Sequence, residues 1–189
     1  MKTKNQYNVL EIQEHFIGEF SLVPIRYEDK LHIMKWRNEQ IYHLRQNKLL
    51  TVEDQNNYFK EVVGKLFGQD HPNQILFSYL KGDKCIGYGG LVHINWIDKN
   101  AEISFLLDTQ LEKKEFSYHW EIYSKLIEKV AFKELNLHKI YTYAFDIRPN
   151  LYTVLEKIGF VLDARLKEHC FFEGSYKDVL IHSKINSKK

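Results

Sequence analysis

The spacing of apolar and polar positions predicts a chain of mixed strands and helices. The segment "FSLVPI" (20–25) predicts a first strand, and "EDKLHIMKWRNE" (28–39) predicts a helix with Leu31, Ile33 and Met34 facing inward. Thr51 begins a second helix, and Asp54, three residues later, is its expected capping partner. Both helices precede the region that predicts most of the sheet.

The middle and the end of the chain predict further strands and helices. "QILFSYL" and "CIGYGGLVHI" form a hairpin across the turn "KGDK", and "AEISFLLD" adds a third antiparallel strand. A long amphipathic helix is predicted from about Phe116 to Leu135. The strand "KIYTYAF", a short helix "NLYTVLEKI" ending at Gly159, and a hairpin around "EGS" follow. This order predicts an α/β (α+β) fold.

Length and composition predict one domain. The 189 residues can bury a single core, so we expect one domain over 1–189, with 1–19 as an N-terminal extension and 186–189 as a disordered tail. Apolar residues make up 44% and charged residues 28%, which is typical of a soluble globular protein. No apolar run reaches the roughly 18 to 20 residues needed to cross a bilayer. A cytoplasmic protein without membrane contact is expected.

Charge and cysteine content exclude several classes of partner. The formal net charge is +2 and the basic residues form no stripe, so nucleic acid is not an expected partner. Cys85 and Cys170 lie far apart and show neither metal-ligand spacing nor a disulfide framework. We therefore expect no metal. A monomer or homodimer is expected.

The C-terminal segment carries a family resemblance. "LNLHKIYTYAF" and "LEKIGFVLDARLKEHCFFEGSYKDVLIHS" resemble the GNAT N-acetyltransferases of the RimJ/RimL-like branch. The matching positions are Leu155, Glu156, Lys157, Gly159, Phe160, Gly174, Tyr176 and Asp178. "KWRN" (35–38) and "LTVEDQNNYF" (50–59) are more distantly similar to N-acetyltransferases of amino-sugar nucleotides. The resemblance implies a GNAT fold: a central mixed, mostly antiparallel, splayed sheet of six to seven strands with about four helices.

The resemblance also implies a co-substrate and its place. Acetyl-CoA, the acetyl donor, would enter the V between "AEISFLLD" and "KIYTYAF", with the amine approaching from the other side. Strands that separate leave backbone groups unpaired, and the amides of pantetheine can pair with them like an added strand. The backbone of Phe105, Leu106 and Leu107 is expected to serve this purpose.

The turn after that strand departs from the family pattern. Members of the family carry Q/R-x-x-G-x-G/A around the CoA diphosphate, whereas "LEKKEFSYHW" (111–120) has no glycine and is about three residues longer. A helix N-terminus still offers N–H groups and a favourable dipole to phosphates. The expected phosphate-binding residues are Lys113, Lys114, Phe116, Ser117 and Tyr118. Glu112 and Glu115 would repel an anion, which leaves a GNAT-fold binding module without CoA chemistry as an alternative.

Candidate catalytic residues follow from the resemblance and from side-chain chemistry. Glu102, on the splayed strand, is the candidate general base, with His93 as a second candidate; either side chain could instead be structural. The two positions where the family carries an acid hold Leu155 and Leu151. Tyr152 is the remaining candidate for protonating the thiolate, with a packing role as the alternative.

Two further groups of residues are expected to bind substrates. Arg148 and Asn150 flank the position of the family's CoA-contacting asparagine, and Arg148 could pair with a phosphate. Trp36, Arg37, Asn38 and Tyr88 are the expected acceptor-binding residues, since rings stack on sugars and arginine binds phosphate bidentately. The predicted function is N-acetylation of a primary amine such as that of an amino-sugar nucleotide. A protein N-terminus, as in ribosomal-protein acetyltransferases, is the alternative acceptor.

Overall fold

The computed structural model describes residues 5–187. Their strands form one eight-stranded sheet in the order β1-β2-β3-β4-β5-β6-β8-β7. The strands are β1 His15–Ile17, β2 Phe20–Pro24, β3 Ile75–Lys81, β4 Lys84–Asn95, β5 Asn100–Leu107, β6 Lys139–Phe145, β7 Val161–Phe172 and β8 Ser175–Ile185. The helices are α1 Lys30–Glu39, α2 Val52–Tyr58, α3 Gly64–Leu66, α4 Thr109–Glu128 and α5 Pro149–Lys157. A π-helical segment, Phe59–Val63, joins α2 to α3, and another, Lys129–Glu134, extends α4.

The predicted fold class is confirmed, with one strand more than expected. The hairpin β3–β4, the next strand β5 and the terminal hairpin β7–β8 are antiparallel, as the turn chemistry predicts. The additional strand β1 pairs with β2 through His15 and Leu22. Its three residues are too short for an alternating pattern to reveal them.

The N-terminal segment packs against the domain. Tyr7 is buried, and its hydroxyl donates to the carbonyl of Leu76 at 2.8 Å and accepts from its N–H at 2.9 Å. At the other end, the N–H of Asn186 donates to the carbonyl of His138 at 2.8 Å. Tyr7 in the predicted extension and Asn186 in the predicted tail are therefore hydrogen-bonded to the domain, while 1–4 and 188–189 lie outside the described residues.

The two N-terminal helices have the expected positions but a rotated inner face. Ile33 is buried as predicted, whereas Leu31 is 46% exposed, so its inward placement was wrong. Trp36 takes the inward position because it lies three residues after Ile33 on the same face. The capping box that begins α2 is confirmed. The Thr51 side chain accepts from the N–H of Asp54, and the Asp54 carboxylate accepts from the N–H of Thr51.

Helices cover both faces of the sheet. Phe105 of β5 stacks on Tyr123 of α4, with ring centroids 3.8 Å apart, so α4 covers one face. On the opposite face, the guanidinium of Arg37 in α1 donates to the hydroxyl of Tyr88 at 2.6 Å. Because successive residues of a strand face opposite sides, Glu102 lies on the α1 face of β5.

Two glycines of β4 allow the neighbouring strands to approach. A Cβ on Gly89 would lie 2.0 Å from the carbonyl oxygen of Ser104, and one on Gly90 would lie 1.9 Å from that of Ile75. Gly90 also has a φ of 156°. The sequence left open whether a ligand or a neighbouring side chain passes here; the groups are backbone atoms of β5 and β3, and the Tyr123 hydroxyl also lies close to Gly89.

The sheet separates between its two parallel strands. β5 and β6 pair only from Asn100 to Glu102 with Lys139 to Tyr141. Beyond Glu102, β5 stays paired with β4 as far as Leu107, and β6 stays paired with β8 as far as Phe145. The two strands therefore diverge into a V; α4 follows β5 and α5 follows β6.

Candidate active site

The V between β5 and β6 forms a cleft. Its lining residues are His43, Leu44, Arg45, Glu102, Ile103, Ser104, Phe105, Trp120, Thr142, Tyr143, Ala144, Phe145, Arg148 and Leu151. They come from the segment after α1, from both separated strands, from α4 and from the start of α5. The cleft is the place where an extended ligand could lie along unpaired strand edges.

The backbone of β5 presents alternate residues to the cleft. The N–H of Asp108 donates to the carbonyl of Ile86 on β4 at 2.7 Å, and a Cβ on Gly87 would lie 2.8 Å from the carbonyl of Leu106. In an antiparallel ladder the N–H and C=O groups of every second residue point at the partner strand, so the backbone groups of Leu106 point at β4. The backbone N–H and C=O groups of Phe105 and Leu107 point to the cleft side of β5. There the carbonyl of Leu107 accepts from the Gln40 side chain at 2.7 Å. Of the three predicted backbone donors, Leu106 is turned away from the cleft.

The closed end of the cleft holds a cluster around Glu102. One carboxylate oxygen of Glu102 accepts a short hydrogen bond from Arg45, and the other lies 3.8 Å from Nε2 of His93. A register shift between Val92 and Asn95 brings His93 there, with a φ of 51° that residues other than glycine seldom adopt. The structure thus brings the two candidate bases together.

The environment of Glu102 is suited to proton transfer. Its side chain is only 7% exposed. Burial raises the pKa of Glu102, while Arg45 and His93 act in the opposite direction. A carboxylate with a raised pKa holds a proton more readily than an exposed one, which is what a general base requires.

The open end of the cleft is bridged by an ion pair. Nη2 of Arg148, just before α5, lies 2.5 Å from Oε1 of Glu112 in α4, and both side chains are mostly buried. The guanidinium lies 5.3 Å from the ring centroid of Phe116, and its Nη1 lies 3.2 Å from Nδ1 of His43. Burial, together with the charge of Arg148, lowers the pKa of His43 to about 3. Neutral His43 can therefore accept from Arg148.

The glycine-free turn is an additional helical segment. Asp108 caps it by accepting from the N–H groups of Gln110 and Leu111, and Glu115, with φ −132° and ψ 25°, interrupts the helix. A second helical segment begins at Phe116, where the sequence predicted the helix. Lys81, Lys113, Lys114, Glu115, Phe116, Ser117 and Tyr118 line a shallow depression at this break. The predicted phosphate-binding residues are thus adjacent to one another.

The fold and the cleft agree with a family match. Residues 22–181 match the family described as Acetyltransferase (GNAT) domain. The chain belongs to the GNAT acetyltransferases. This family transfers acetyl groups, with acetyl-CoA as the donor.

Curated and solved relatives of this GNAT protein include spermidine acetyltransferases. It is 33% identical over 97 residues to spermidine N(1)-acetyltransferase of Vibrio cholerae, covering 50% of this chain and 53% of that protein, so the matched region spans about half the length of the curated relative. The crystal structure of the Vibrio cholerae enzyme with CoA and spermine has a TM-score of 0.79 at 21% identity, covering 90% and 97% of the two chains. Its dodecameric structure in an intermediate state has a TM-score of 0.73 at 24% identity, covering 90% and 95%. These two structural likenesses show the fold.

The candidate acid of this GNAT protein lies outside the cleft. Tyr152 donates its hydroxyl to the carbonyl of Phe145 at 2.9 Å and stacks on His182, with centroids 5.3 Å apart. Burial raises the pKa of Tyr152 to about 12. Leu151 lines the cleft in its place, and Leu155 is buried in the core. Asn150 is exposed at the start of α5.

The predicted acceptor residues make structural contacts. The indole Nε1 of Trp36 donates to Asp108 at 3.0 Å and fixes the turn after β5. Arg37 donates to the side chains of Tyr88 and Gln46. The side-chain amide of Asn38 donates to the carbonyl of Leu50 and accepts from its N–H. None of the four, Trp36, Arg37, Asn38 and Tyr88, lines the cleft. These side chains hold α1 to the turn after β5, to β4 and to the segment before α2, and their role in acceptor binding stays a prediction.

Sequence reasoning missed several of the residues that line the cleft, including two cations or potential cations and one tyrosine. His43, Arg45 and Tyr143 line it, and the guanidinium of Arg45 lies 4.6 Å from the ring centroid of Tyr143. Tyr143 could have been found, because it alternates with Tyr141 along a predicted strand, two positions from the end. The segment with His43 and Arg45 carries no periodic signal. Its position depends on contacts with Glu102 of β5 and with Arg148 before α5, which lie 57 and 105 residues further along the chain from their partners.

None of the helices within 5–187 is long and apolar enough to span a membrane. The same part of the chain contains no group of three His, Cys, Asp or Glu side chains arranged to hold a metal ion.

Proposed function

We propose that the protein is an acetyl-CoA-dependent N-acetyltransferase that acts on a primary amine of a small molecule. The observation that carries the proposal is the cleft between β5 and β6, with the buried carboxylate of Glu102 at its closed end. Acetyl-CoA supplies the thioester carbonyl that the amine attacks. The unpaired strand edges match the alternating amides of its pantetheine arm.

The proposed cofactor contacts run from the cleft to its open end. The backbone of Phe105 and Leu107 would bind the pantetheine arm, since both face away from β4. Arg148 would bind a phosphate, because its planar guanidinium already holds the carboxylate of Glu112. The N–H groups at the start of the second helical segment, with Lys113 and Lys114 beside them, would bind the remaining phosphate charge. Asn150 stays a weaker candidate at the start of α5.

The proposed chemistry assigns proton transfer to Glu102. An amine arrives as an ammonium ion and must lose a proton before it can attack. Glu102 would take that proton directly or through a water molecule, and His93, 3.8 Å away, would be available to pass it to solvent. Holding the amine and the carbonyl in line between the two strands would supply much of the rate.

The acceptor is a separate proposal. The relatives named above act on spermidine, which makes polyamines one candidate class. We retain amino-sugar nucleotides as the second candidate, together with the RimJ/RimL-like branch, because they join an amine to anionic groups that Arg45 could bind. Protein N-termini have no specific feature in their favour among the described residues. A binding module without catalysis would not need a buried carboxylate at the meeting point of the strands.

An assembly of identical subunits is also proposed. β7 is an edge strand of 12 residues and exposes Val161, Leu162 and Phe171. Long exposed apolar edges are usually covered by another chain. We propose a homodimer, and light scattering of the purified protein at two concentrations would test it; a monomer at both would contradict it.

Calorimetric titration with acetyl-CoA, followed by a thiol-release assay with a panel of amines, tests the proposed function. Saturable binding that weakens for a CoA lacking its 3′-phosphate, and thiol release that depends on the amine, are expected. An absence of both binding and thermal stabilisation at millimolar acetyl-CoA would contradict the proposal. Binding without thiol release for any amine would instead favour the binding module.

A further inference from the structure

The candidate base is held by a cation that reaches the solvent. Glu102 is buried, and its carboxylate accepts from Arg45, whose side chain is 47% exposed. The guanidinium lies over the ring of Tyr143, 4.6 Å from its centroid, which keeps it at the cleft wall. Among the described residues, Glu102 takes one of its N–H donors. Because a guanidinium has five donors, most of them remain for a ligand.

This pairing has a consequence for catalysis. An arginine in contact with a carboxylate favours the ionised form and lowers its affinity for protons. Glu102 bound to Arg45 is therefore a weaker base than its burial alone would make it. A ligand that draws Arg45 away would leave a buried carboxylate without its main counter-charge, and the proton affinity of Glu102 would rise.

The charges of the cleft also discriminate between acceptors. Glu102 is the one carboxylate among its lining residues, and it is paired; the lining cations are Arg45 and Arg148. Glu112, beside the cleft, is paired with Arg148. A polycation would meet two arginines and would find a carboxylate only by breaking an ion pair. An amine that carries an anionic group could instead bind an arginine through that group.

We propose that the acceptor is a small primary amine that carries an anionic group, a carboxylate or a phosphate, and that this group binds Arg45 and so releases Glu102. The released carboxylate takes one proton from the ammonium group. The amine nitrogen then forms its bond to the acetyl carbon, the carbon–sulfur bond breaks, and the sulfur leaves with the electron pair of that bond. The second nitrogen proton is lost to solvent. This inference rests on the proposed function and names its substrate class.

The test compares matched pairs of amines in a thiol-release assay. For the phosphate source the pair is 2-aminoethyl phosphate and 2-aminoethanol, and for the carboxylate source it is 3-aminopropanoate and propylamine; spermidine represents polycations. The expected result is a kcat/KM at least about tenfold higher for one anionic amine than for its neutral partner, the size of one charge-assisted contact. Whichever pair shows the preference identifies the anion.

Variants of the arginine then decide whether Arg45 is the cause. In Arg45→Gln the preference should fall to about one, and Arg45→Lys should keep part of it, since lysine retains the charge without the planar fork. Lys48→Gln, which removes a positive charge from the same segment at a more exposed side chain (67% against 47%), should keep the full preference. Calorimetry with the anionic amine alone should show the same loss of binding in Arg45→Gln, independently of turnover.

Two outcomes would overturn the inference while leaving the proposed function intact. One is efficient acetylation of spermidine with no activity on either anionic amine. The other is an anionic preference that Arg45→Gln leaves unchanged. Absence of acetyl-CoA binding, with no thiol release for any amine, would overturn the proposed function itself.

Discussion

Nη2 of Arg148 and Oε1 of Glu112 lie 2.5 Å apart and join the two arms of the splayed sheet at the open end of the cleft. Arg148 follows β6 and Glu112 follows β5, so the pair spans the entrance where the sheet has no hydrogen bonds of its own. A carboxylate thus occupies the arginine for which we propose a phosphate partner. Binding of a diphosphate there requires the exchange of one anion for another.

Replacement of Glu112 should therefore strengthen cofactor binding. In Glu112→Gln the guanidinium of Arg148 has no competing carboxylate, and the Kd for acetyl-CoA should fall about fivefold, or roughly 1 kcal/mol. Titration calorimetry measures the change. Glu115→Gln is the matched control, because Glu115 lies on the same turn but faces His119. An equal gain in both variants would mean that only the local net charge matters.

Replacement of Glu102 should abolish most of the activity and its pH dependence. Only the ionised carboxylate can take a proton, and burial raises the pKa of Glu102, so kcat/KM should rise with pH through a midpoint above the value of about 4.3 found in peptides. Glu102→Gln should lose about 10²-fold to 10⁴-fold in kcat/KM, and its kcat/KM should no longer rise with pH through this midpoint. Initial rates between pH 4.5 and about 9 test both statements. A rise with pH that survives in Glu102→Gln would assign the base elsewhere, with His93 first.

The hydroxyl of Tyr152 should matter for stability but not for catalysis. It donates to the carbonyl of Phe145 and lies away from the cleft lining, so Tyr152→Phe should keep kcat within about twofold and lower the free energy of unfolding by about 1 kcal/mol. Urea unfolding and steady-state rates measure the two effects. Tyr176→Phe, at an exposed ring, should change neither. A loss of kcat in Tyr152→Phe with unchanged CoA binding would restore Tyr152 as the acid.

His43 should make stability depend on pH. Its pKa is about 3 in the folded protein and about 6.5 in the unfolded chain, so the unfolded chain binds more protons between these values. The stability is fully present above pH about 6.5 and is lost as pH falls towards 3, by up to about 1.4 kcal/mol per pH unit. His43→Gln should flatten the urea-unfolding profile between about pH 6.5 and 4.5, whereas substitution of exposed His71 should not. Identical profiles for wild type and His43→Gln would contradict this origin.

The sequence by itself determined the elements whose signals are local. Hairpins at "KGDK" and "EGS", the capping box of Thr51 and Asp54, and the end of α5 before Gly159 all follow from turn and capping chemistry between near neighbours. The C-terminal motif then identified the family and, with it, the two strands that separate. The break at Glu115 also lies where the residue pattern predicted the helix to begin.

Tertiary structure decided which side chains form the cleft. Whether Glu102 faces the cleft depends on strand register, because a shift of one residue reverses every side chain of β5. The bulge that brings His93 to Glu102, and the contacts of Arg45 and Arg148, join residues between 9 and 105 positions apart. Trp36 and Tyr152 have residue types that suit ligand binding, yet their polar atoms are bonded within the fold. Local patterns carry no information on such pairings, since burial and register are properties of the assembled sheet.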